Sequence, residues 1–127
     1  MKNGKQYNTD KIFAGDEINL TMPAIFNGSL SVDCTTLNLS KTIYSSGSIS
    51  VNASECKSIG EERVVICSEN GDIVINTSNF ELNGLIYAPN GTVVINANSF
   101  TLNGKIVANN VLIRGSKISI KNISTTK

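Results

Sequence analysis

The chain has 127 residues, of which 40 % are hydrophobic and 17 % charged, with a net charge of +1 and no histidine. That length suits one modest domain, and charges of both signs scattered along it offer no footprint for nucleic acid or an anionic membrane surface. No apolar run approaches the roughly 18 residues that span a bilayer, and the missing histidine removes Ser-His-Asp and Cys-His nucleophiles, the usual zinc hydrolases and histidine-dependent hexapeptide acyltransferases.

Residues 1–11 are polar and read as an N-terminal segment or cap. Polar residues in Met1–Gln6 occupy the place of an apolar signal-peptide core, so a secretory leader is not expected there. Ile12-Phe13-Ala14 opens a series of Ile-x-Ala/Ser triplets that continues at Ile43-Tyr44-Ser45, Ile66-Cys67-Ser68, Ile86-Tyr87-Ala88 and Ile106-Val107-Ala108. Gly15 through Leu20 is a loose first copy of a second phrase, Gly-x-apolar-x-apolar-Asn/Asp. Its clear copies are Gly28–Asp33, Gly47–Asn52, Gly71–Asn76 and Gly91–Asn96, with glycine spacings of 19, 24 and 20. Val111-Leu112-Ile113-Arg114 continues it without the glycine. A third phrase, apolar-x-apolar, runs through Leu37-Asn38-Leu39, Cys56-Lys57-Ser58, Phe80-Glu81-Leu82, Phe100-Thr101-Leu102 and Ile118-Ser119-Ile120.

Three alternating segments recurring with a step near twenty residues predict a parallel β-helix, because no single unit can bury its apolar side and only stacking closes a core. The expectation is all-β, right-handed as such coils generally are. Three short strands per rung and five to six rungs of 18–24 residues cover 12–123, with a loop inserted near 60–64 and a tail at 124–127. Helix is disfavoured by the dense β-branched residues and Asn-Gly breakers. A β-sandwich is the rival, but it does not require positions to recur with a constant step. On the coil, Leu30, Ile49, Ile73 and Val93 form one interior column and Val32, Val51, Ile75 and Ile95 another, with Phe80 over Phe100.

Asp33, Asn52, Asn76 and Asn96 fall in register at one corner, where stacked amides can hydrogen-bond along the coil. A calcium row there would need Asp-rich Gly-Gly-x-Gly-x-Asp units, which the chain lacks; a sugar-binding row is the other alternative. Outward positions of the Gly-led phrase change from Asn19, Ser31 and Ser50 to Val74, Val94 and Leu112, a candidate interaction stripe. Phe13, Tyr44 and Tyr87, with Val107, make a candidate outward aromatic row. Cys34, Cys56 and Cys67 are odd in number and lack metal spacing, so unpaired thiols are expected, Cys56 as a small core residue and Cys67 in the Tyr44/Tyr87 slot. No two aspartates share a row on adjacent rungs, and Glu61, Glu62 and Arg63 read as a solvated cluster. An enzyme, a cofactor and a metal site are therefore not expected.

Leu82-Asn83-Gly84-Leu85-Ile86-Tyr87-Ala88-Pro89-Asn90-Gly91, followed by Val93-Val94-Ile95-Asn96, resembles the β-helical repeat region of surface-associated proteins of clostridia and related Gram-positive bacteria, and the likeness covers 24–120. Some of those proteins carry a von Willebrand factor A-type module or a pilin-like amino-terminal segment, and no catalytic residues are assigned to the region. The resemblance implies a non-catalytic stalk or display module at the cell surface or outside the cell. Bactofilins, cytoskeletal β-helices that polymerise end to end, are similar in size and rung length. They imply the alternative of a filament subunit, with a cytoplasmic location as the alternative compartment. A carbohydrate-binding or carbohydrate-active coil, with Tyr44 and Tyr87 along a groove, is the distant third. The expected partners are thus a protein or a second copy, through the apolar stripe or the coil ends, or a cell-wall glycan.

Overall fold

The computed structural model describes residues 5–59 and 63–125. They form nine strands and no helix: β1 (Lys5–Tyr7), β2 (Lys11–Leu20), β3 (Ala24–Phe26), β4 (Leu30–Leu39), β5 (Ile43–Ser45), β6 (Ile49–Ser58), β7 (Val64–Ser68), β8 (Ile73–Arg114) and β9 (Lys117–Thr125). Every pairing is parallel and joins elements one winding apart, so the chain is a parallel β-helix of about six turns.

Two of the three predicted segments of a winding are fused. In β2, β4 and β6 ten residues turn a corner within one strand: Leu30–Cys34 pair with Ile49–Ala53, one residue is skipped, and Thr36–Leu39 pair with Glu55–Ser58. The separate strands β1, β3, β5 and β7 make the third face. β8 runs through two windings without a break; hydrogen bonds from Thr92 N to Asp72 Oδ1 and from Asn96 Nδ2 to Asn76 Oδ1 fix an offset of twenty residues inside it.

Alternation decides what is inside. Val51 pairs with Ile75, and Ile75 and Ile95 are both 0 % exposed, as an interior column requires. Interior positions also trade volume. Late in the coil the third face closes inward with the small Ala88 and Ala108, each just after the second face has supplied a large ring, Phe80 and Phe100. Gly84 and Gly104 stand where windings touch. A Cβ at Gly84 would collide with the Val64 carbonyl oxygen, and one at Gly104 with that of Gly84, so the Asn-Gly corners are set by close backbone approach.

The first winding differs from the sequence expectation. Ile12, Phe13 and Ala14 pair with Ser31, Val32 and Asp33, placing them on the first face rather than the third. The Ile18-Asn19-Leu20 stretch pairs with Leu37-Asn38-Leu39 and belongs to the second face, not to an opening Gly-led copy. The third-face strand of that region is Ala24-Ile25-Phe26, which pairs with Ile43-Tyr44-Ser45. Winding begins at Lys5, inside the predicted cap, and β9 carries it through Thr125, into the predicted tail. Of the insertion predicted near 60–64, Val64 opens β7, while Gly60, Glu61 and Glu62 lie outside the described residues.

Candidate functional site

The corner column binds itself together. Asn76 donates from Nδ2 to Asn52 Oδ1 at 3.1 Å and accepts from Asn96 Nδ2 at 2.8 Å, while Asp33 pairs with Asn52 at the head of the same column. Amides that spend donors and acceptors on one another present little to a ligand, which favours the structural ladder over a sugar row. A second ladder escaped the sequence reading: Asn38 Nδ2 donates to Asn19 Oδ1 at 2.8 Å and to Glu17 Oε2 at 3.2 Å. Its signal was the matching triplets Ile18-Asn19-Leu20 and Leu37-Asn38-Leu39. Among the described residues no group of three or more Cys, Asp or Glu is placed to hold a metal ion.

The stripe is outward on the first face. Val74 pairs with Ser50 and is half-buried, as is Val94 one winding on. Leu112 is 43 % exposed, and the row runs back through Ser50 and Ser31 to Ile12, not to Asn19. It is therefore apolar toward both ends and polar in the middle.

The aromatic row needs one replacement. Phe13 occupies the inward position of Val32 because β2 belongs to the first face; its ring meets Tyr7 and Phe26 edge-on, each with centroids 6.1 Å away. Tyr7 stacks on Phe26 at 4.9 Å, and these three rings close the first winding under the ammonium of Lys11, 5.2 Å from the Tyr7 centroid and 5.4 Å from that of Phe13. The outward third-face column is instead Ile25, Tyr44, Cys67 and Tyr87 in register, with Val107 beyond, all half-buried. Val65 pairs with Leu85 in the neighbouring outward column, which continues to the exposed Lys105, so the apolar part of this face lies in its middle windings. Ile25 was missed with its strand, although it lies 19 residues before Tyr44, the step of that region.

All three thiols are free. Cys56 lies inside, between Leu37 and Phe80 in its column, and burial, with a smaller contribution from nearby Cys34, pushes its pKa up to about 12. Burial raises Cys67, and burial followed by the Asp33 charge raises Cys34. A thiol held protonated is a poor nucleophile, so none of the three is primed for covalent chemistry.

The coil's two ends present unpaired edges among the described strands. At the first winding the edge is β1 and β2, and a cavity of about 260 Å³ opens between Tyr7, Phe13, Leu20 and Met22. At the last it is Val111–Arg114 with β9, where Ile118 is 38 % and Ile123 46 % exposed. Asp16 and Glu17 occupy one corner at the first end, and Arg114 and Lys117 the same corner at the last.

No helix of the described residues is long and apolar enough to cross a membrane. No curated protein and no solved structure matches the chain. A family model does match, over residues 22–122, from just before the third-face strand Ala24–Phe26 into β9, and the chain belongs to that family, described as a domain of unknown function (DUF7305).

Proposed function

We propose that this coil is a non-catalytic structural module, a stalk or display domain of a bacterial cell-envelope protein lying at the cell surface or outside the cell. The observation that carries it is the outward third-face column Ile25, Tyr44, Cys67, Tyr87 and Val107, an apolar row along a rod whose polar corners are bonded to one another. Rows of this kind on a protein in water meet another surface, and a neighbouring protein fits better than a glycan. The shallow groove beside Tyr44 is lined by Pro23, Ala24, Ile25 and Thr42, which offer few hydrogen-bonding groups to sugar hydroxyls. The clostridial likeness of the 82–96 stretch points to the same compartment. Labelling intact cells with an antibody to the domain tests this: signal on unbroken cells is expected, and signal only after lysis overturns the surface assignment.

A second reading, self-association through the ends, is favoured by the unpaired parallel edges and by Ile12, Leu112, Ile118 and Ile123, exposed by 71, 43, 38 and 46 %. Bare edges and apolar cross-sections are the usual routes by which coils and sheets extend.

A further inference from the structure

We infer that the last two windings carry, along the second face and its two corners, a binding surface for a flexible anionic polymer of hydroxylated units, a sugar or polyol chain bearing phosphate or carboxylate groups. This surface is separate from the third-face row and stands or falls independently of what that row meets. The near-zero total charge conceals a segregation along the axis. All ten aspartates and glutamates and six of the eleven lysines and arginines lie in residues 1–81, whereas residues 82–127 hold the other five cations and no acid. Of those five, Lys127 lies outside the described residues. Because each winding stacks on the one before, a division in sequence becomes a division in space.

The second face shows the change column by column. One outward column runs Glu17, Thr36, Glu55, Asn79, Ser99 and Lys117, and the next Asn19, Asn38, Lys57, Glu81, Thr101 and Ser119; the stacked Phe80 and Phe100 rings fix the step across the middle. Neither column holds an acid beyond Glu81, and they finish on hydroxyls and an ammonium. Arg114 follows Asn96 at the corner with the first face, since Gly115 sits against the Ala97 carbonyl. Lys121 stands at the other corner and donates to Asn103 Oδ1 at 3.4 Å, which uses one of the three donors of its ammonium. At that same corner Arg63 holds a guanidinium nitrogen 3.0 Å from where a Cβ on Gly104 would stand, beside Lys105. Arg63, Lys105, Arg114, Lys117 and Lys121 are all exposed. Two open grooves run between these groups, one of about 450 Å³ bordered by Asn98 and Arg114, the other of about 260 Å³ bordered by Thr101, Asn103, Ser119 and Lys121.

Hydroxyls and amides interleaved with cations suit a chain that offers hydroxyls and spaced anions, with neutral hydrogen bonds to the former and charge-assisted ones to the latter. None of the outward residues at positions 99, 101, 103, 117, 119 and 121 is aromatic, so the face has no platform on which to stack the bases of a single-stranded nucleic acid. None is apolar either, so it lacks the wedge that a lipid surface takes up and the dry centre of a protein interface.

Fluorescence polarisation tests the proposal, with the full chain titrated into labelled poly(glycerol phosphate), polygalacturonate and neutral dextran, and with polyglutamate, oligothymidylate and phosphatidylglycerol vesicles as competitors. One or both of the anionic hydroxylated polymers are expected to bind and dextran is not; the tighter of the two identifies phosphate or carboxylate as the group that is read. Three ionic contacts on a flexible chain predict roughly a tenfold loss of affinity between about 50 and about 150 mM salt. Lys117→Glu is expected to weaken binding about tenfold and Arg114→Gln about threefold, while Lys117→Arg retains it. Lys57→Glu, the same change of charge three windings back on the same face, is expected to weaken it by less than about twofold. Circular dichroism checks that each variant keeps its strand content. No binding of either anionic polymer at low salt, or equal losses in Lys57→Glu and Lys117→Glu, overturns the site. Tighter capture of polyglutamate, oligothymidylate or the vesicles overturns the choice of partner.

Discussion

The Phe80 and Phe100 rings stack with centroids 4.4 Å apart and planes 10° from parallel, one residue from each winding set face to face by the constant step of the coil. Both rings are nearly inaccessible to solvent. Their overlap is the most direct evidence that burial here is achieved between windings, and it makes the energetics of the core local along the axis.

Phe100→Ala removes a fully buried ring and its stacking partner's cover. The expected loss is about 3–5 kcal/mol, read as the shift in chemical-denaturation midpoint at unchanged slope. A loss below about 1 kcal/mol would mean that the column collapses into the space or was never tightly filled.

Gly84→Ala sets a methyl against the Val64 carbonyl of the winding below, where the clash is with backbone. The variant should lose several kcal/mol or fail to fold, whereas Asn83→Ala, which gives up only a long 3.5 Å bond from Asn103, should cost about 1 kcal/mol or less. Equal thermal midpoints for the two variants would remove close approach as the reason for the Asn-Gly corners.

The corner ladder predicts an asymmetry along its length. Asn76→Ala breaks a bond on each side and should destabilise by about 1–2 kcal/mol, while Asn96→Ala breaks only the bond to Asn76 and should cost roughly half as much. Identical losses in urea titrations would show that the amides bond to water as well as to each other.

Cys56 makes stability depend on alkaline pH. Its folded pKa, pushed up to about 12, lies above the ordinary value of 9.0, so the folded chain holds the proton longer than the unfolded chain. The contribution is complete below pH 9 and is lost as pH rises toward 12, at about 1.4 kcal/mol per pH unit. Between about pH 8 and about pH 10.5 the wild type should lose about 2 kcal/mol more than Cys56→Val, measured by denaturant titration at both values. Parallel losses in the two proteins would assign the alkaline sensitivity to other groups.

The middle of the coil was legible because two different phrases recur there together. Ile49–Asn52 and Ile73–Asn76 share Gly-led alternation, and their pairing follows directly. The first winding was not, for a physical reason. Period-two alternation is the same on all three faces, so Ile12-Phe13-Ala14 resembles a third-face triplet while lying on the first. Only the turns distinguish the faces, and Asp10 and Thr21-Met22-Pro23 replace the Asn-Gly turns of later windings. The aromatic row followed the same limit: Tyr44 and Tyr87 were placed by phrase, Phe13 was misplaced by phrase, and Ile25 was hidden in Ala24-Ile25-Phe26, where alanine stands for isoleucine. Fusion of two segments into the bent ten-residue strands was hidden for the opposite reason: inward parity shifts between Val32 and Leu37, so one strand that turns a corner reads as two.

Because the coil passes from one winding to the next inside β8 with a twenty-residue offset and no change of fold, length in this architecture is a quantity that can be edited. Duplicating one such unit extends the object by about 4.8 Å and leaves both termini chemically as they were. A gene that gains or loses whole units can therefore adjust how far a protein reaches without renegotiating what it touches.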